Sequence, residues 1–245
     1  MTVTLITGAS SGLGAETARQ LAAKGHDLAL CARRTDRLEE LTAEITAAHD
    51  VRVEHRALDV DDHDAVREVV QAFAADFGGL DRVVVNAGIG KGAKLGTGRF
   101  DANRDTLLTN VVGALAQIEA ALEVFRAQER GHLVLVSSVA ALRGLPRAQT
   151  AYAASKAALA HLGEGLQMEL HGTDISVTVL YPGYIDSEMN HGNTSPLMVS
   201  TEKGVRAMVA AMEKGTDHAV VPALPWSVLG RVLEHAPRAI ARRLV

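Results

Sequence analysis

The sequence predicts a single α/β domain: a doubly wound parallel sheet of about seven strands flanked by helices. Three observations predict it. Short β-rich runs alternate with longer segments of helical period, no antiparallel hairpin signal interrupts them, and a glycine-rich turn follows the first run.

The strand-like runs are Val3–Ile6, Leu28–Ala32, Arg52–Ala57, Arg82–Asn86, Leu133–Ser137, Ser176–Tyr181 and His218–Val221. Between them, helical period covers Gly12–Lys24, Arg37–His49, Asp62–Phe77, a long stretch around Arg104–Gln128, Tyr152–His171 and Glu202–Lys214. Right-handed crossovers and the early turn then make the sheet doubly wound. Two long irregular segments, Gly88–Gly98 and Pro182–Thr201, follow strand ends, where ligands bind in such sheets. No linker, repeat or low-complexity tract divides the 245 residues, so one domain is expected over 1–245.

Composition agrees. Apolar residues make up 47% of the chain but aromatics only 3%, so alanine, valine and leucine fill the core, as suits a parallel sheet covered on both faces. A net charge of −4 offers no cationic surface for nucleic acid. The single cysteine, Cys31, cannot form an internal disulfide and reads as a buried apolar residue on a strand. No basic leader precedes the first strand, and no apolar run approaches the ~20 residues of a membrane span. A cytoplasmic location is the expectation.

The turn Thr7-Gly8-Ala9-Ser10-Ser11-Gly12-Leu13-Gly14 joins the first strand to the first helix. Gly8 permits the tight turn, Gly12 allows backbone to approach a pyrophosphate, and Gly14 lets the helix pack close to the sheet. The helix N-terminus adds free N–H groups for the phosphates. No Gly-Lys-Ser/Thr follows, which disfavours a nucleotide triphosphatase. The second strand ends in Ala32-Arg33-Arg34 with no carboxylate at its tip. Arginine there suits the 2′-phosphate of NADP, whereas NAD calls for an acid, so NADP(H) is the expected cofactor.

Tyr152 and Lys156 stand four apart and share one helical face. A phenol titrates near pH ~10, and a neighbouring ammonium with a cationic nicotinamide ring would stabilise its phenolate. A hydroxyl from Ser137-Ser138, at the end of the preceding strand, could hydrogen-bond a substrate oxygen as charge develops.

Together these motifs resemble the short-chain dehydrogenase/reductase family, a Rossmann-fold group. The matching pieces, in order, are Thr-Gly-x-x-x-Gly-x-Gly at 7–14, Asn86-Ala87-Gly88, Asn110, Ser138, Tyr-x-x-x-Lys at 152–156 and Pro182-Gly183. The resemblance covers residues 1 to about 222, and the joint pattern is specific where each piece alone is not. It implies Tyr152 as acid/base and Lys156 as pKa-lowering group and nicotinamide-ribose ligand, both counted among the cofactor contacts. It implies Ser138 as substrate-oxygen donor and Asn110 as organiser of a proton-relay water. It also implies a cofactor groove lined by Ser10, Ser11 and Leu13 of the turn, by Asp59-Val60 at the adenine and by Asn86-Ala87-Gly88. Pro182, Gly183 and Ile185 would face the nicotinamide carboxamide, with Ser187 standing where many members have threonine. The 138–152 stretch is one residue longer than in many members, which leaves Ser137 and Ser138 as alternatives; strand alternation favours Ser138.

Other features carry bland readings. Ten histidines include no His-x-x-x-His or His-Glu-x-x-His pair, so no metal site is expected. Asp61-Asp62-His63-Asp64 reads as a cap on the third helix. Met189–Met198, within a substrate loop at 182–200, reads either as a lid or as a loop on its own core. Small residues Ala157, Ala158, Ala160, Gly163 and Gly165 suit either internal packing or a subunit interface, and the family usually forms dimers or tetramers.

The tail 226–245 has an apolar stripe, Leu229, Leu233, Ala236, Ile240 and Leu244, with Pro237 separating two short helices. Four arginines against Glu234 give it +3 in a chain of −4. It could lie peripherally on an anionic membrane. Packing over the cleft or a neighbouring subunit is preferred, because a short, proline-broken tail buries little area in lipid.

The expected activity is hydride transfer between NADP(H) and a small carbonyl or alcohol. A non-catalytic dinucleotide sensor would lack the tyrosine or lysine. A nucleotide-sugar epimerase would carry a larger C-terminal region and a differently spaced glycine turn.

Overall fold

The computed structural model describes residues 2–90, 92–190 and 195–237. Seven strands, β1 (Val3–Thr7), β2 (Asp27–Ala32), β3 (Val53–Ala57), β4 (Arg82–Val85), β5 (Gly131–Val136), β6 (Ile175–Pro182) and β7 (His218–Val221), form one sheet. Its order is β3-β2-β1-β4-β5-β6-β7, and every pairing is parallel. The chain winds outward from β1 to β3, then returns to lay β4 on the other side of β1. That reversal opens a crevice beyond the C-terminal ends of β1 and β4.

The helices are α1 (Gly12–Ala22), α2 (Thr35–Ala48), α3 (His63–Phe77), α4 (Phe100–Leu107), α5 (Ala114–Gln128), α6 (Thr150–Glu169), α7 (Thr201–Lys214) and α8 (Ala223–His235). Strand alternation divides the core between the two faces of the sheet. Leu5, Ala29, Cys31, Val83 and Leu133 point to the face covered by α3, α5 and α6, through residues such as Phe73, Phe125 and Leu159. Ile6, Leu28, Leu30, Val84 and Val134 point to the face covered by α1, α2 and α7, through Leu21, Leu38 and Met208. Both faces are dry, which is why the strands read as continuous apolar runs. Cys31 is wholly buried, and burial pushes its thiol up to about 12.

Local chemistry places the ends. Asp62 caps α3 by accepting from the Ala65 N–H at 3.2 Å, as its acidic cluster suggests. Ser200 caps α7, accepting from the Lys203 N–H at 3.3 Å. Gly163 sits where α6 crosses the sheet: a Cβ there would come 2.4 Å from Val179 Cγ2, so this small residue serves internal packing. Gly165 would meet nothing.

The long central helix differs from the sequence reading. The long helix begins at Phe100 rather than Arg104, and a wide π-helical turn, Leu108–Gly113, separates α4 from α5. The same helix, Phe100–Gln128, holds an 18-residue window of mean hydropathy 1.4, apolar enough to cross a membrane by length and composition alone. Half of that window is buried in the protein, with Ile118, Ala121 and Phe125 in the core, so its apolarity belongs to packing. The described part of the tail lies against the cleft. α8 starts before residue 226 and turns Trp226 and Leu229 onto the cleft, leaving Leu224, Val228 and Val232 exposed. It ends at His235, and Ala236 is extended, as a residue preceding Pro237 should be. Ile240, Leu244 and the second helix expected after Pro237 lie outside the described residues.

Candidate active site

One cleft of about 940 Å³ opens over the C-terminal ends of the central strands. Of the residues expected from sequence, all but Gly14 and Asn110 line it. Those two stand behind the wall and shape it.

The glycine turn is built by close approach. Gly8 has φ +64, and a Cβ on it would fall 2.9 Å from Ala87 Cα. A Cβ on Gly14 would fall 2.4 Å from the Gly8 carbonyl oxygen, so α1 can begin tight under the turn only with glycine there. Thr7, not singled out from sequence as a site residue, ties the turn to β4. Its hydroxyl donates to the Val84 carbonyl at 3.3 Å and accepts from the Asn86 and Ala87 N–H groups, each at 3.0 Å. Asn86 Nδ2 donates back to the Thr7 carbonyl at 2.8 Å. Asn86 thus holds the crevice together rather than facing it freely. The resulting backbone cradle at the start of α1 suits a pyrophosphate, and Gly12 leaves it open: an added Cβ would meet only Ser187 Cβ, at 3.4 Å.

The two arginines after β2 separate. Arg34 lies on the turn, donating from Nε to Ser10 Oγ at 3.2 Å and from Nη2 to Ser11 Oγ at 2.6 Å. It also meets Glu188 at 3.2 Å, and Arg37 adds a contact to the same carboxylate at 3.6 Å. Arg33 faces Asp59 at 3.7 Å across the mouth of the cleft, with Val60 buried behind. Glu188 and Arg37 were not legible as partners, because 154 residues separate Glu188 from Arg34.

At the other end, α6 presents Tyr152 and Lys156 on one face. Ser138 and Ser137 divide their work. Ser137, just past β5, is 3% exposed and spends its hydroxyl on the Lys156 carbonyl at 2.8 Å. Ser138 accepts from the Ala140 N–H at 3.1 Å and hydrogen-bonds the Tyr152 side chain. Of the two serines, Ser138 is the one beside the Tyr152 side chain. The Lys156 ammonium is 5% exposed, donates to the Val136 carbonyl at 2.8 Å and lies 5.9 Å from the centroid of the Tyr152 ring.

One electrostatic expectation is corrected. Burial raises the Tyr152 phenol above its ordinary value, and the opposing pull comes from the Ser138 hydrogen bond rather than from Lys156. Burial likewise pushes Lys156 down to about 8. Two groups desolvated together each resist charge, which the helical spacing alone does not reveal.

Asn110 explains the π-helical turn. The extra residue rotates its side chain inward, where Oδ1 accepts from the Ile89 N–H and Nδ2 donates to the Ile89 carbonyl, both at 2.8 Å. Nδ2 also donates to Ser155 Oγ at 3.0 Å, and Ser155 donates to the Tyr152 carbonyl at 2.7 Å. Asn110 and Ser155 thereby set the Gly88–Ile89 wall against the first turn of the Tyr152 helix.

The far half of the cleft is more apolar. Trp226 packs flat against Gly183, where a Cβ would come 2.2 Å from its Nε1, and meets Tyr184 edge-on at 4.9 Å. Met189 and Leu197 of the 182–200 loop line this half, while residues 191–194 of that loop lie outside the described residues. In the sequence Trp226 stands only at the start of the tail, since nothing local marks its contact with Gly183.

A family model described as short chain dehydrogenase matches residues 2–197. A Mycobacterium tuberculosis protein named as an uncharacterized oxidoreductase is 52% identical over 241 residues, covering 98% of this chain and 95% of that one. A Myxococcus xanthus protein of the same description is 39% identical, covering 98% and 96%. Among solved structures, an alcohol dehydrogenase from the archaeon Thermococcus sibiricus, complexed with 5-hydroxy-NADP, superimposes with a TM-score of 0.79 at 28% identity. It covers 90% of this chain and 95% of that one. A short chain dehydrogenase/reductase from Burkholderia phymatum in complex with NAD has a TM-score of 0.84 at 21% identity, over 99% and 94%, and shares the fold.

Proposed function

The chain belongs to the short-chain dehydrogenase/reductase family of oxidoreductases, and from that premise we propose that it transfers hydride between NADP(H) and a carbonyl or alcohol. Tyr152 is the acid/base. The observation that carries this reading is the Tyr152 hydroxyl bonded to Ser138 and backed by the buried Lys156 ammonium, at the end of a cleft that begins at the glycine turn.

The dinucleotide, when bound, supplies or accepts the hydride. The chain's own residues do the rest. Burial keeps the Tyr152 phenol protonated at neutral pH, the form that gives a proton to a carbonyl oxygen as it becomes an alkoxide. Ser138 hydrogen-bonds the same oxygen and stabilises the charge that develops there. Lys156, with its ordinary value lowered to about 8, is mostly charged at pH 7, and its bond to the Val136 carbonyl holds that charge 5.9 Å from the centre of the Tyr152 ring, while the Ser138 hydrogen bond favours the phenolate left behind. In the reverse direction Tyr152 takes the alcohol proton. Asn110 and Ser155 are positioning residues that hold the wall and the helix in register.

Arg33 and Arg34, with no acid at the tip of β2, support NADP(H) over NAD(H): two guanidinium groups stand where a 2′-phosphate would add charge. Exposed Leu108, Val112 and Leu115 on the π-helical turn and α5 and Met168 on α6 support self-association through these helices. Trp226 and Leu229 against the cleft support packing, rather than membrane contact, for the start of the tail.

The experiment is oxidation of NADPH and of NADH against a panel of ketones and aldehydes. Consumption of NADPH with several carbonyls, lost in Tyr152→Phe, is expected. Turnover in Tyr152→Phe close to that of the unmodified protein would refute the assignment.

A further inference from the structure

Between Ser138 and α6 the chain forms a short wall over the substrate half of the cleft, and within it Arg147 has φ +62. A non-glycine residue rarely adopts that conformation, and it persists only where the surroundings impose it. Here they do. The Thr150 hydroxyl donates to the carbonyls of both Leu145 and Arg147, each at 3.0 Å. The Gln149 N–H donates to the Pro146 carbonyl at 3.3 Å, and the Ala148 carbonyl packs onto Gly92, where a Cβ would come 2.2 Å from its oxygen. The turn is clamped from two sides, and its effect is to hold an arginine at the rim of the cleft, five residues before Tyr152.

The charges along the cleft are divided. Its two lining carboxylates, Asp59 and Glu188, both sit at the cofactor end and are engaged by Arg33, Arg34 and Arg37. Among the described residues no carboxylate lines the substrate half, whereas Arg143 and Arg147 do, and Arg147 makes no ion pair. Apolar side chains make up much of the wall there, Leu145, Met189, Leu197, Trp226 and Leu229, with the uncharged Gln149, Tyr184 and Ser195 among them. A ligand matched to this surface has an apolar body and an anionic end.

Resting on the reaction proposed above, we propose that Arg147 is a specificity-determining residue that binds the carboxylate of an aliphatic oxo-acid, holding it with its carbonyl toward Ser138 and Tyr152. A guanidinium matches a carboxylate in a two-point hydrogen-bonded pair, and the apolar wall covers the chain between. Nothing is transferred at Arg147; it selects.

The test separates the two readings. Binding of octanoate and of octanamide to the protein saturated with NADP⁺ is measured by calorimetry. NADPH oxidation is measured with eight-carbon oxo-acids and with their methyl esters. The variants are Arg147→Asn, whose side chain tolerates the left-handed region without charge, and Arg147→Lys. Octanoate should bind about tenfold more tightly than octanamide, with the acid favoured over the ester to a similar degree in kcat/KM. Both preferences should vanish in Arg147→Asn and return in part in Arg147→Lys. Equal binding of octanoate and octanamide by the unmodified protein, or a preference that survives in Arg147→Asn, overturns the anion site. Turnover of ester and acid alike, without discrimination, overturns it too while leaving the reaction standing. An Arg147-dependent octanoate preference without any NADPH oxidation supports the site and overturns the reaction.

Discussion

Acidification to pH 4.5 should cost this protein about 2.5 kcal/mol of stability through one side chain, His132. His132 is the second residue of β5, at the end of the sheet opposite the cleft. Its Nδ1 accepts from Arg82 Nε at 3.1 Å, which leaves the proton on Nε2, within 2.8 Å of Thr178 Oγ1. The Thr178 hydroxyl in turn donates to the Thr216 carbonyl at 2.7 Å. Arg82 is itself buried and is bonded to Glu213 at 2.8 Å, and His26 faces the same carboxylate at 3.7 Å. A second proton on His132 has no acceptor and sits beside a guanidinium. Burial first, and then Arg82, push the imidazole down to about 4, with Glu213 opposing weakly.

The sign follows from which state takes the proton first. The unfolded imidazole titrates near ~6.5, so between that value and about 4 the unfolded chain binds a proton that the folded one refuses. The contribution is whole above about pH 6.5 and drains away as pH falls, by ~1.4 kcal/mol per unit, toward about 3 kcal/mol in all. For a chain of this size each kcal/mol is worth roughly 2–4 °C in Tm. The assay is urea unfolding followed by circular dichroism from pH 7.5 to 4.5, on the unmodified protein and on His132→Gln. The variant starts less stable, but its stability should fall by about 2.5 kcal/mol less over that range, since other titrating groups are common to both. Parallel pH dependence in the two proteins, or an NMR titration of His132 near 6.5 in the folded state, would refute the reasoning.

Three further outcomes are expected at the cleft. Tyr152→Phe keeps cofactor affinity and lowers turnover by at least ~10²-fold, measured by fluorescence titration and steady-state kinetics. Arg33→Ala and Arg34→Ala each weaken NADPH by about 10- to 100-fold while leaving NADH nearly unchanged; equal losses for both cofactors would remove the 2′-phosphate contact. Gly183→Ala drives a methyl into the Trp226 ring, 2.2 Å from Nε1, and should cost about 1–3 kcal/mol of stability and displace the indole. Trp226 is the chain's single tryptophan, so a red-shifted emission reports that displacement directly, and an unshifted spectrum would count against it.

Much was legible in the sequence because it is local. The strand and helix order follows from apolar runs and helical period, and the glycine turn follows from backbone conformations that only glycine adopts freely. The face shared by Tyr152 and Lys156 follows from 3.6 residues per turn. Asp62 as a cap needs only its neighbours. These readings survive because each is a statement about a few consecutive residues, and the family resemblance joined them in one order.

The tertiary structure decided what depends on register and burial. Strand alternation leans to Ser138 over Ser137, but only past the folded end of β5 does one turn to the Lys156 carbonyl and the other to Tyr152. The lysine's charge was legible; its lowered value and its bond to Val136 were not, since desolvation is a property of everything packed around it. Arg34 lies on the glycine turn and Arg33 on Asp59 because the parallel register of β1, β2 and β3 sets which guanidinium crosses which loop. The Arg82–His132–Glu213 cluster spans 131 residues of chain, and Trp226 meets Gly183 only when α8 folds back over β6. A one-dimensional pattern carries period and backbone preference; which distant side chains meet, and how much water is left between them, is settled only when the sheet closes.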